Sequence, residues 1–477
     1  MPGLPARLTA LLLFAVFGLC AYRARTQSFT VDEAYVFDLF VNRPLAEMAQ
    51  TYDACNHVLH TLLMKLARAT LGTGELALRV PSLLAAALFL RGLYLLTQRF
   101  FTGWWQPLVA ASAALHPLVL DHLVAARGYG LGLALLIWSL LWAGNWLTRG
   151  FADRDLVRAG SMAGLSIAAN LTFLVPAAAL GATLLGIAVR PRRCWSVVEK
   201  YGVPSIVIAF LFNVLPLLRS GREHFYVGEH SWYGSVLSFV QGALKANRAF
   251  TFGWAAQHQP FLVGVGVALF WLMTAGAFIV FLRSRWSGGW FHRMPAMLFA
   301  FTLFFAVLIL TSLFVLAAVP LPQARTGIYL LPLLPFALVA VARSLAFKSV
   351  KAGAAATLAV GVLFYVSQME ARFFQEWRFD AATRSMLRRI DEDRQARGKH
   401  DEVRLSVSND LLATIKYYRL RRSMNWLPEQ PAFKNLDKSD TDYYLLVEQD
   451  AGVVDRLGLT VLYRDRMTGV VLARSES

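Results

Sequence analysis

Apolar runs about as long as a lipid bilayer is thick recur through most of this chain, with short polar loops between them. An α-helix needs roughly twenty apolar residues to cross the hydrocarbon core of a membrane. The pattern therefore predicts a polytopic α-helical membrane protein with about eleven transmembrane helices. These helices cover residues 8–22, 78–97, 105–123, 129–147, 159–174, 175–189, 201–218, 260–282, 296–317, 327–346 and 352–368. The pair 159–174 and 175–189 is expected to be a short hairpin hinged near Pro176.

The pattern changes after residue 368. VRLSVS, DYYLLVE, LTVLYR and GVVLAR are rich in the β-branched and aromatic residues of strands, and DLLATIKYYRL reads as a helix. Residues 369–477 are therefore expected to form a small α/β domain outside the membrane. Residues 1–368 form the transmembrane module in this interpretation.

The distribution of charge orients the predicted helices. The net charge is +17, but residues 370–477 hold 19 Lys and Arg against 18 Asp and Glu, so the excess lies in the membrane part. There the basic residues fall in alternate loops, which the positive-inside rule assigns to the cytoplasm. The N-terminus is then cytoplasmic and the C-terminal domain lies on the outer face. Because the charge follows the loops, it does not indicate nucleic-acid binding.

Two long loops share the outer face with the C-terminal domain, residues 23–77 and 219–259. The first contains two stretches whose apolar residues recur at helical spacing, as in amphipathic helices that lie along a membrane surface. The first apolar run also fits a signal peptide loosely, although no A-x-A cleavage site follows it. Cleavage there would leave the rest of the loop on the same face.

Two adjacent carboxylates, Asp32 and Glu33, follow the first predicted span. Neighbouring carboxylates near a low-dielectric surface repel each other and lose hydration, which favours a general base or a site for a divalent cation. The alternative is that Asp32 is only the N-cap of the helix that follows. The residues alone leave both interpretations open.

The segment YDACNHVLH supplies a second polar group on the outer face, made of Asp53, Asn56, His57 and His60. We expect these residues to contact substrate, since His57 and His60 share one helix face and are able to bind phosphate or a metal. A divalent cation held by Asp32 and His57 is the metal site that the sequence allows. The alternative role for the segment is helix capping with ordinary polar contacts.

Arg127, Tyr129 and Arg325 form the third group, at outer ends of predicted spans. Charged groups at membrane depth are costly unless they face a cavity or a partner. The guanidinium of Arg127 offers a planar donor fork that suits a phosphate diester. The alternative is an arginine that anchors the helix end by reaching out to water.

The order of these elements resembles that of a known family. The order is the DE pair after the first span, then D-x-x-NH-x-L-H, L-x-R-x-PS within LALRVPSLL, A-R-G-Y, and a late arginine before IYLLPLLP. This order, over roughly residues 1–345, is similar to that of GT-C glycosyltransferases. It looks most like bacterial relatives of protein O-mannosyltransferases and of the lipid A aminoarabinose transferase, glycosyltransferase families 39 and 83.

The resemblance implies a polyprenyl-phosphate-linked sugar as donor, used on the periplasmic face of the bacterial inner membrane. Asp32 would then deprotonate the acceptor with Glu33 beside it, and Arg127 and Arg325 would neutralise the lipid phosphate that leaves. His57 matches the NH element of the family. The acceptor, a glycan, a lipid or a protein, is left open. Membrane lipids are further expected partners.

Two other classes of protein compete with this interpretation. A transporter or flippase of lipid-linked glycans usually has internally repeated halves and ionisable residues near mid-membrane. Here no repeat is visible and the middles of the predicted spans are nearly free of charge. A non-catalytic scaffold would use the outer α/β domain to bind cell-envelope glycan.

Overall fold

The computed structural model describes residues 3–50, 53–188, 191–218, 228–244, 259–286, 295–345, 347–399, 401–428 and 441–475. Part of the predicted outer loop 219–259 therefore lies outside the described residues. The described chain is mainly helical. Its helices are α1 (Leu4–Thr26), α2 (Val31–Val36), α3 (Leu45–Gln50), α4 (Val58–Leu71), α5 (Glu75–Phe100), α6 (Trp105–Ala114), α7 (Pro117–His122), α8 (Gly128–Thr148), α9 (Asp153–Ala169), α10 (Leu174–Ile187), α11 (Pro191–Ser196), α12 (Val203–Leu218), α13 (Trp232–Leu244), α14 (Gln259–Trp286), α15 (Met297–Ala317), α16 (Leu330–Ser344), α17 (Lys348–Ser367), α18 (Thr383–Ala396), α19 (Asn409–Arg422) and α20 (Val453–Leu457).

Shorter helical turns and four strands complete the described elements. Phe37–Val41 and Val197–Gly202 are π-helical, and Leu171–Phe173, Ala324–Gly327, Arg378–Ala382 and Glu448–Asp450 are 3-10 turns. The strands are β1 (Leu405–Val407), β2 (Tyr443–Leu446), β3 (Thr460–Arg464) and β4 (Val471–Arg474).

Seven helices in the described part of the chain are long and apolar enough to cross a membrane. Two shorter apolar helices, Leu171–Ile187 and Leu330–Ser344, match two further predicted spans. The class of multi-pass α-helical membrane protein is therefore confirmed, whereas the number eleven stays a prediction. The seven are Leu4–Thr26, Glu75–Phe100, Gly128–Thr148, Arg192–Leu218, Val263–Val280, Met297–Ala317 and Lys348–Ser367.

The predicted span 105–123 is not one continuous helix. Helix α6 ends at Ala114 and α7 begins at Pro117. His116 is the N-cap of α7, and its Nδ1 accepts the Leu118 N–H at 3.2 Å. Proline is suited to the first turn of a helix and cannot continue one from the preceding turn, so His116-Pro117 divides the apolar run.

The hinge between the predicted spans 159–174 and 175–189 lies at Asn170 rather than at Pro176. Asn170 has extended backbone angles, and its side-chain oxygen accepts the Thr172 N–H at 3.0 Å, which ends α9 and starts the next helical turn. Pro176 sits in the first turn of α10, where its missing N–H leaves no helical hydrogen bond unmade.

Two compact units divide the chain. The first comprises residues 1–21, 50–63 and 81–370 and holds most of the apolar helices. Within it α9 packs against α8 and α12, and α15 packs against α10 and α16. Small residues allow the close approach: a Cβ on Gly160 would lie 2.3 Å from the Tyr201 carbonyl oxygen.

The second unit comprises residues 22–49, 64–80 and 371–477. Its sheet has the order β1-β2-β4-β3, in which β1 and β2 are parallel and the other pairs antiparallel. These strands and α19 lie where the sequence predicted them, so the small C-terminal α/β fold is confirmed. The predicted domain boundary after residue 368 differs from the observed division, because the same unit includes α2, which packs against α19.

Gly160 lies so close to the Tyr201 backbone that a larger residue should disturb the packing of α9. We expect Gly160→Ala to destabilise the protein by about 1–3 kcal/mol, because the added methyl has no room beside the Tyr201 backbone. Gly361→Ala is the matched control, since a Cβ on Gly361 in α17 meets nothing within 4 Å. Thermal unfolding of both variants in one detergent measures the difference. Equal unfolding temperatures would contradict the packing described.

Candidate active site

The predicted site residues fall into two groups, one within each compact unit. Asp32 and Glu33 belong to the second unit. The first unit contains the other seven, Asp53, Asn56, His57, His60, Arg127, Tyr129 and Arg325.

Thr30, not Asp32, is the N-cap of α2. The Thr30 side chain accepts the Glu33 N–H at 3.3 Å, and the Glu33 carboxylate accepts the Thr30 N–H at 2.8 Å. This reciprocal arrangement is a capping box. The interpretation of Asp32 as a helix cap is therefore wrong, and the Thr-x-x-Glu spacing in the sequence is the signal that identifies the true cap.

Glu33 is fully buried and forms a bidentate ion pair with Arg79, which is also fully buried. Arg79 Nε lies 2.8 Å from one carboxylate oxygen of Glu33, and Nη2 lies 2.6 Å from the other. The guanidinium also donates to the carbonyls of Ala24, Gln27 and Ser28. Glu33 thus stabilises the start of α2, and its partner is Arg79, the arginine of the LALRVPSLL element.

Asp32 is the accessible member of the acidic pair. It is partly exposed, whereas Glu33 next to it is completely buried. A carboxylate that remains reachable from solvent, on a helical turn fixed by its buried neighbour, is suited to accept a proton from a bound group.

The sequence did not indicate three residues that hold the region of α2, namely Asp380, Tyr418 and Glu75. The Asp380 carboxylate accepts the Val31 N–H at 2.6 Å and the Thr414 hydroxyl at 2.8 Å. Tyr418 accepts the Phe29 N–H at 3.0 Å and donates to Glu75 at 2.9 Å. Glu75 also forms ion pairs with Arg384 and Arg421. Apart from Asp380 and Thr414, these partners are more than 300 positions apart in the chain, so no local spacing indicates them.

Asp380 has an unusual electrostatic environment. Its residue surface is 1% exposed. Burial raises the pKa of its carboxyl well above the usual range, and the charges of Asp32 and Glu33 act in the same direction. The hydrogen bonds from Val31 and Thr414 stabilise the ionised form and oppose this shift.

In the first unit, His57 lies against the start of α8. Its Nδ1 accepts the Gly128 N–H at 2.9 Å, and its Nε2 is 3.0 Å from the side-chain nitrogen of Asn170. The ring of Tyr129 meets His57 edge-on with 4.9 Å between centroids. The A-R-G-Y element and the NH element are therefore in direct contact.

Gly128 is required for this contact. A Cβ at that position would lie 2.0 Å from the Ala169 carbonyl oxygen and 2.6 Å from the His57 Cβ. Any side chain there would push α8 away from His57. The glycine between Arg127 and Tyr129 thus holds both residues against the histidine.

Arg127 and Arg325 both act on His57. Burial lowers the pKa of His57 well below its usual value, and the positive charges of Arg127 and Arg325 lower it further. The imidazole is therefore neutral at physiological pH, and the two predicted phosphate-binding arginines lie in one electrostatic neighbourhood. The Arg127 residue is only 2% exposed, which does not fit an anchor that reaches out to water.

His60 belongs to the same neighbourhood. Burial, with a contribution from Arg127, lowers the pKa of His60 to about 3. Its Nε2 lies 3.0 Å from the Ser82 hydroxyl, which donates to the Ala125 carbonyl at 2.8 Å. Since the Ser82 proton is used, His60 donates through Nε2. Neutral His60 thereby ties α4 and α5 to the segment that precedes Arg127.

Asp53 and Asn56 shape the turn that leads to His57. The Asp53 carboxylate accepts the Cys55 N–H at 2.7 Å, and the Asn56 side-chain oxygen accepts the Thr61 hydroxyl at 3.0 Å. Both are local contacts of the turn and the first turn of α4. A role in substrate binding stays a prediction for these two residues.

No group of three or more His, Cys, Asp or Glu able to hold a metal ion occurs among the described residues. Both ring nitrogens of His57 lie within 3.0 Å of protein nitrogen atoms, those of Gly128 and of the Asn170 side chain. A divalent cation held by Asp32 and His57 stays a prediction.

Comparisons with known proteins give structural likeness at low sequence identity. No protein-family model matches the chain, and no curated protein matches it. ArnT from Cupriavidus metallidurans bound to undecaprenyl phosphate is 13% identical, with 97% of each chain covered and a TM-score of 0.43. Its apo state is 14% identical, with the same coverage and TM-score. Arabinosyltransferase EmbB from Mycobacterium smegmatis is 15% identical, with 78% of this chain and 41% of EmbB covered and a TM-score of 0.39.

Proposed function

We propose that this chain is an integral membrane glycosyltransferase that moves a sugar from a polyprenyl-phosphate donor to an acceptor. The observation that carries the proposal is the contact between the NH and A-R-G-Y elements in the first unit. His57 accepts the Gly128 N–H at 2.9 Å beside the buried Arg127, and the charge of Arg325 also acts on this buried, neutral imidazole. Two guanidinium groups beside an uncharged imidazole favour a phosphate, and arginine is the side chain that binds phosphate in a bidentate manner.

The chemistry requires a base and a stabilised leaving group. A sugar phosphodiester reacts when an acceptor hydroxyl or amine is deprotonated and attacks the anomeric carbon, while the bond to the lipid phosphate breaks. Asp32 takes the proton, and Arg127 and Arg325 stabilise the charge on the departing phosphate. Each such contact contributes about 2–4 kcal/mol to the transition state. A single displacement inverts the anomeric configuration.

The remaining predicted residues have supporting roles. Glu33 holds Asp32 in place through its ion pair with Arg79. Tyr129 lies edge-on between the rings of His57 and His122, at 4.9 and 4.8 Å, and supports the phosphate-binding group. His57, His60, Asp53 and Asn56 shape the region around the donor. The reaction takes place on the periplasmic face of the inner membrane, and the C-terminal domain lies in the periplasm. The acceptor is a glycan, a lipid or a protein.

Asp32→Asn tests the assigned base. We expect transfer to fall at least about a hundredfold. The amide keeps the shape of the side chain but cannot accept the proton. Sugar transfer is measured by mass spectrometry of the lipids formed in proteoliposomes that contain a panel of polyprenyl-phosphate sugars. Asp38→Asn is the matched control, since Asp38 is a partly buried carboxylate on the adjoining π-helical turn. Wild-type transfer by Asp32→Asn would remove Asp32 as the base.

Arg325→Gln tests the assigned phosphate site. Loss of one charge-assisted contact should weaken binding of undecaprenyl phosphate by about tenfold or more. Binding to the detergent-solubilised chain is measured with the lipid itself as the probe. Lys348→Gln removes the same charge from an exposed residue at the start of α17 and should leave binding unchanged. Equal affinities of the two variants would contradict the phosphate site.

A further inference from the structure

Asp380 contacts the first residue of α2, the helix that carries Asp32. It lies in the 3-10 turn Arg378–Ala382, in the C-terminal segment of the second unit. Its carboxylate accepts the N–H of Val31, the first residue of α2, at 2.6 Å. A side-chain hydrogen bond to this N–H satisfies one of the donors that the start of a helix leaves without an intrahelical partner.

The other carboxylate oxygen of Asp380 joins α2 to α19. It accepts the Thr414 hydroxyl at 2.8 Å, and Asp380 is 1% exposed. The two contacts therefore fix the carboxyl between α2 and α19, which pack on each other. Any displacement of Asp380 would be transmitted to the first turn of α2.

Most acidic groups near Asp380 are paired with arginines. Glu33 is neutralised by Arg79, and Glu75 by Arg384 and Arg421, with Tyr418 donating to Glu75. The charges of Asp32 and Glu33 act on Asp380 directly. Arg79 balances the charge of Glu33. The negative charge of Asp32, the proposed base, is therefore the main acidic influence on Asp380.

We propose that Asp380 is a positioning residue for Asp32, which holds the Asp32 helix from the C-terminal segment and is electrostatically coupled to the Asp32 carboxylate. The proposal rests on the proposed function of Asp32 as the base. It assigns the C-terminal segment a direct part in setting the acid–base behaviour of the site.

Coupling between two carboxyls is reciprocal. The charge of Asp32 acts on the Asp380 carboxyl, and the free energy of this interaction is the same whichever of the two groups is titrated. Removing the charge of Asp32 should therefore change the titration of Asp380.

Infrared titration of the full-length protein tests the coupling without any substrate. The carbonyl stretch of a protonated carboxyl is followed against pH in the wild type, and the band of Asp380 is identified by its loss in Asp380→Asn. We expect its midpoint to fall by about one pH unit in Asp32→Asn, because a neighbouring negative charge is removed. The midpoint should rise in Thr414→Val, because a hydrogen bond to the ionised form is lost.

Asp38→Asn is the control and should leave the midpoint unchanged. If Asp380→Asn fails to fold, the Asp380 band is identified instead as the carboxyl band whose midpoint changes in Thr414→Val, since that variant keeps Asp380 and removes its hydrogen-bond donor. A midpoint that is the same in Asp32→Asn and in the wild type would overturn the proposal, as would a band that titrates at the ordinary carboxyl pKa.

Transfer kinetics separate positioning from a general effect on the fold. Asparagine at position 380 still offers an oxygen to the Val31 N–H, whereas leucine of similar size does not. We expect Asp380→Leu to lower kcat by about 10–100-fold with little change in KM for the donor, since misplacement of a catalytic group by about 1 Å has effects of this size. Asp380→Asn should keep most of kcat, and equal kcat in both variants would overturn the positioning role.

The two proposals fail in different ways. Full transfer by Asp32→Asn would refute Asp32 as the base and leave the infrared coupling untouched. An absent infrared shift, together with lost transfer in Asp32→Asn, would refute the role of Asp380 and leave the proposed function standing.

Discussion

The buried ion pair between Glu33 and Arg79 is the interaction on which the proposed base depends. Removing two charges from water is costly, and such a pair persists only where good geometry and further hydrogen bonds compensate. Here the geometry is bidentate, and Arg79 also donates to three carbonyls of residues 24–28, which lead into α2. One guanidinium therefore organises both the α2 carboxylate and the backbone before it. Asp32, on the same short helix, is partly exposed.

Helix α2 has six residues and would not be stable alone, because nucleating a helix is unfavourable and short helices gain little in return. Its order comes from the capping box of Thr30 and Glu33, and from Asp380 and Tyr418 of the C-terminal segment. The α/β fold of residues 371–477 is consequently part of the same compact unit as α2. The four-stranded sheet belongs to this same unit, so the contacts that hold α2 come from a folded segment with its own sheet.

The sequence predicted what depends on local pattern. Apolar runs located the long helices, and runs rich in β-branched and aromatic residues located the four strands. The A-R-G-Y element contains Gly128, where α8 approaches His57 closely. The sequence offered Asp32 as one alternative for the cap of α2, although the Thr-x-x-Glu spacing of a capping box was present. Asp380 and Glu75 could not be found in this way, because their contacts join segments that only the tertiary fold brings together. The break at Asn170 was missed because proline is the more familiar signal.

Hydrogen exchange of the α2 backbone tests most directly whether the buried ion pair holds the Asp32 helix. Breaking a buried pair by removing one partner costs about 3–5 kcal/mol, so Arg79→Gln should speed exchange of the Val31–Val36 amides by at least about tenfold. Glu47→Gln, which breaks the exposed Arg43–Glu47 pair, should leave these amides unchanged. Exchange in Arg79→Gln as slow as in the wild type would contradict the dependence of Asp32 on the Glu33–Arg79 pair.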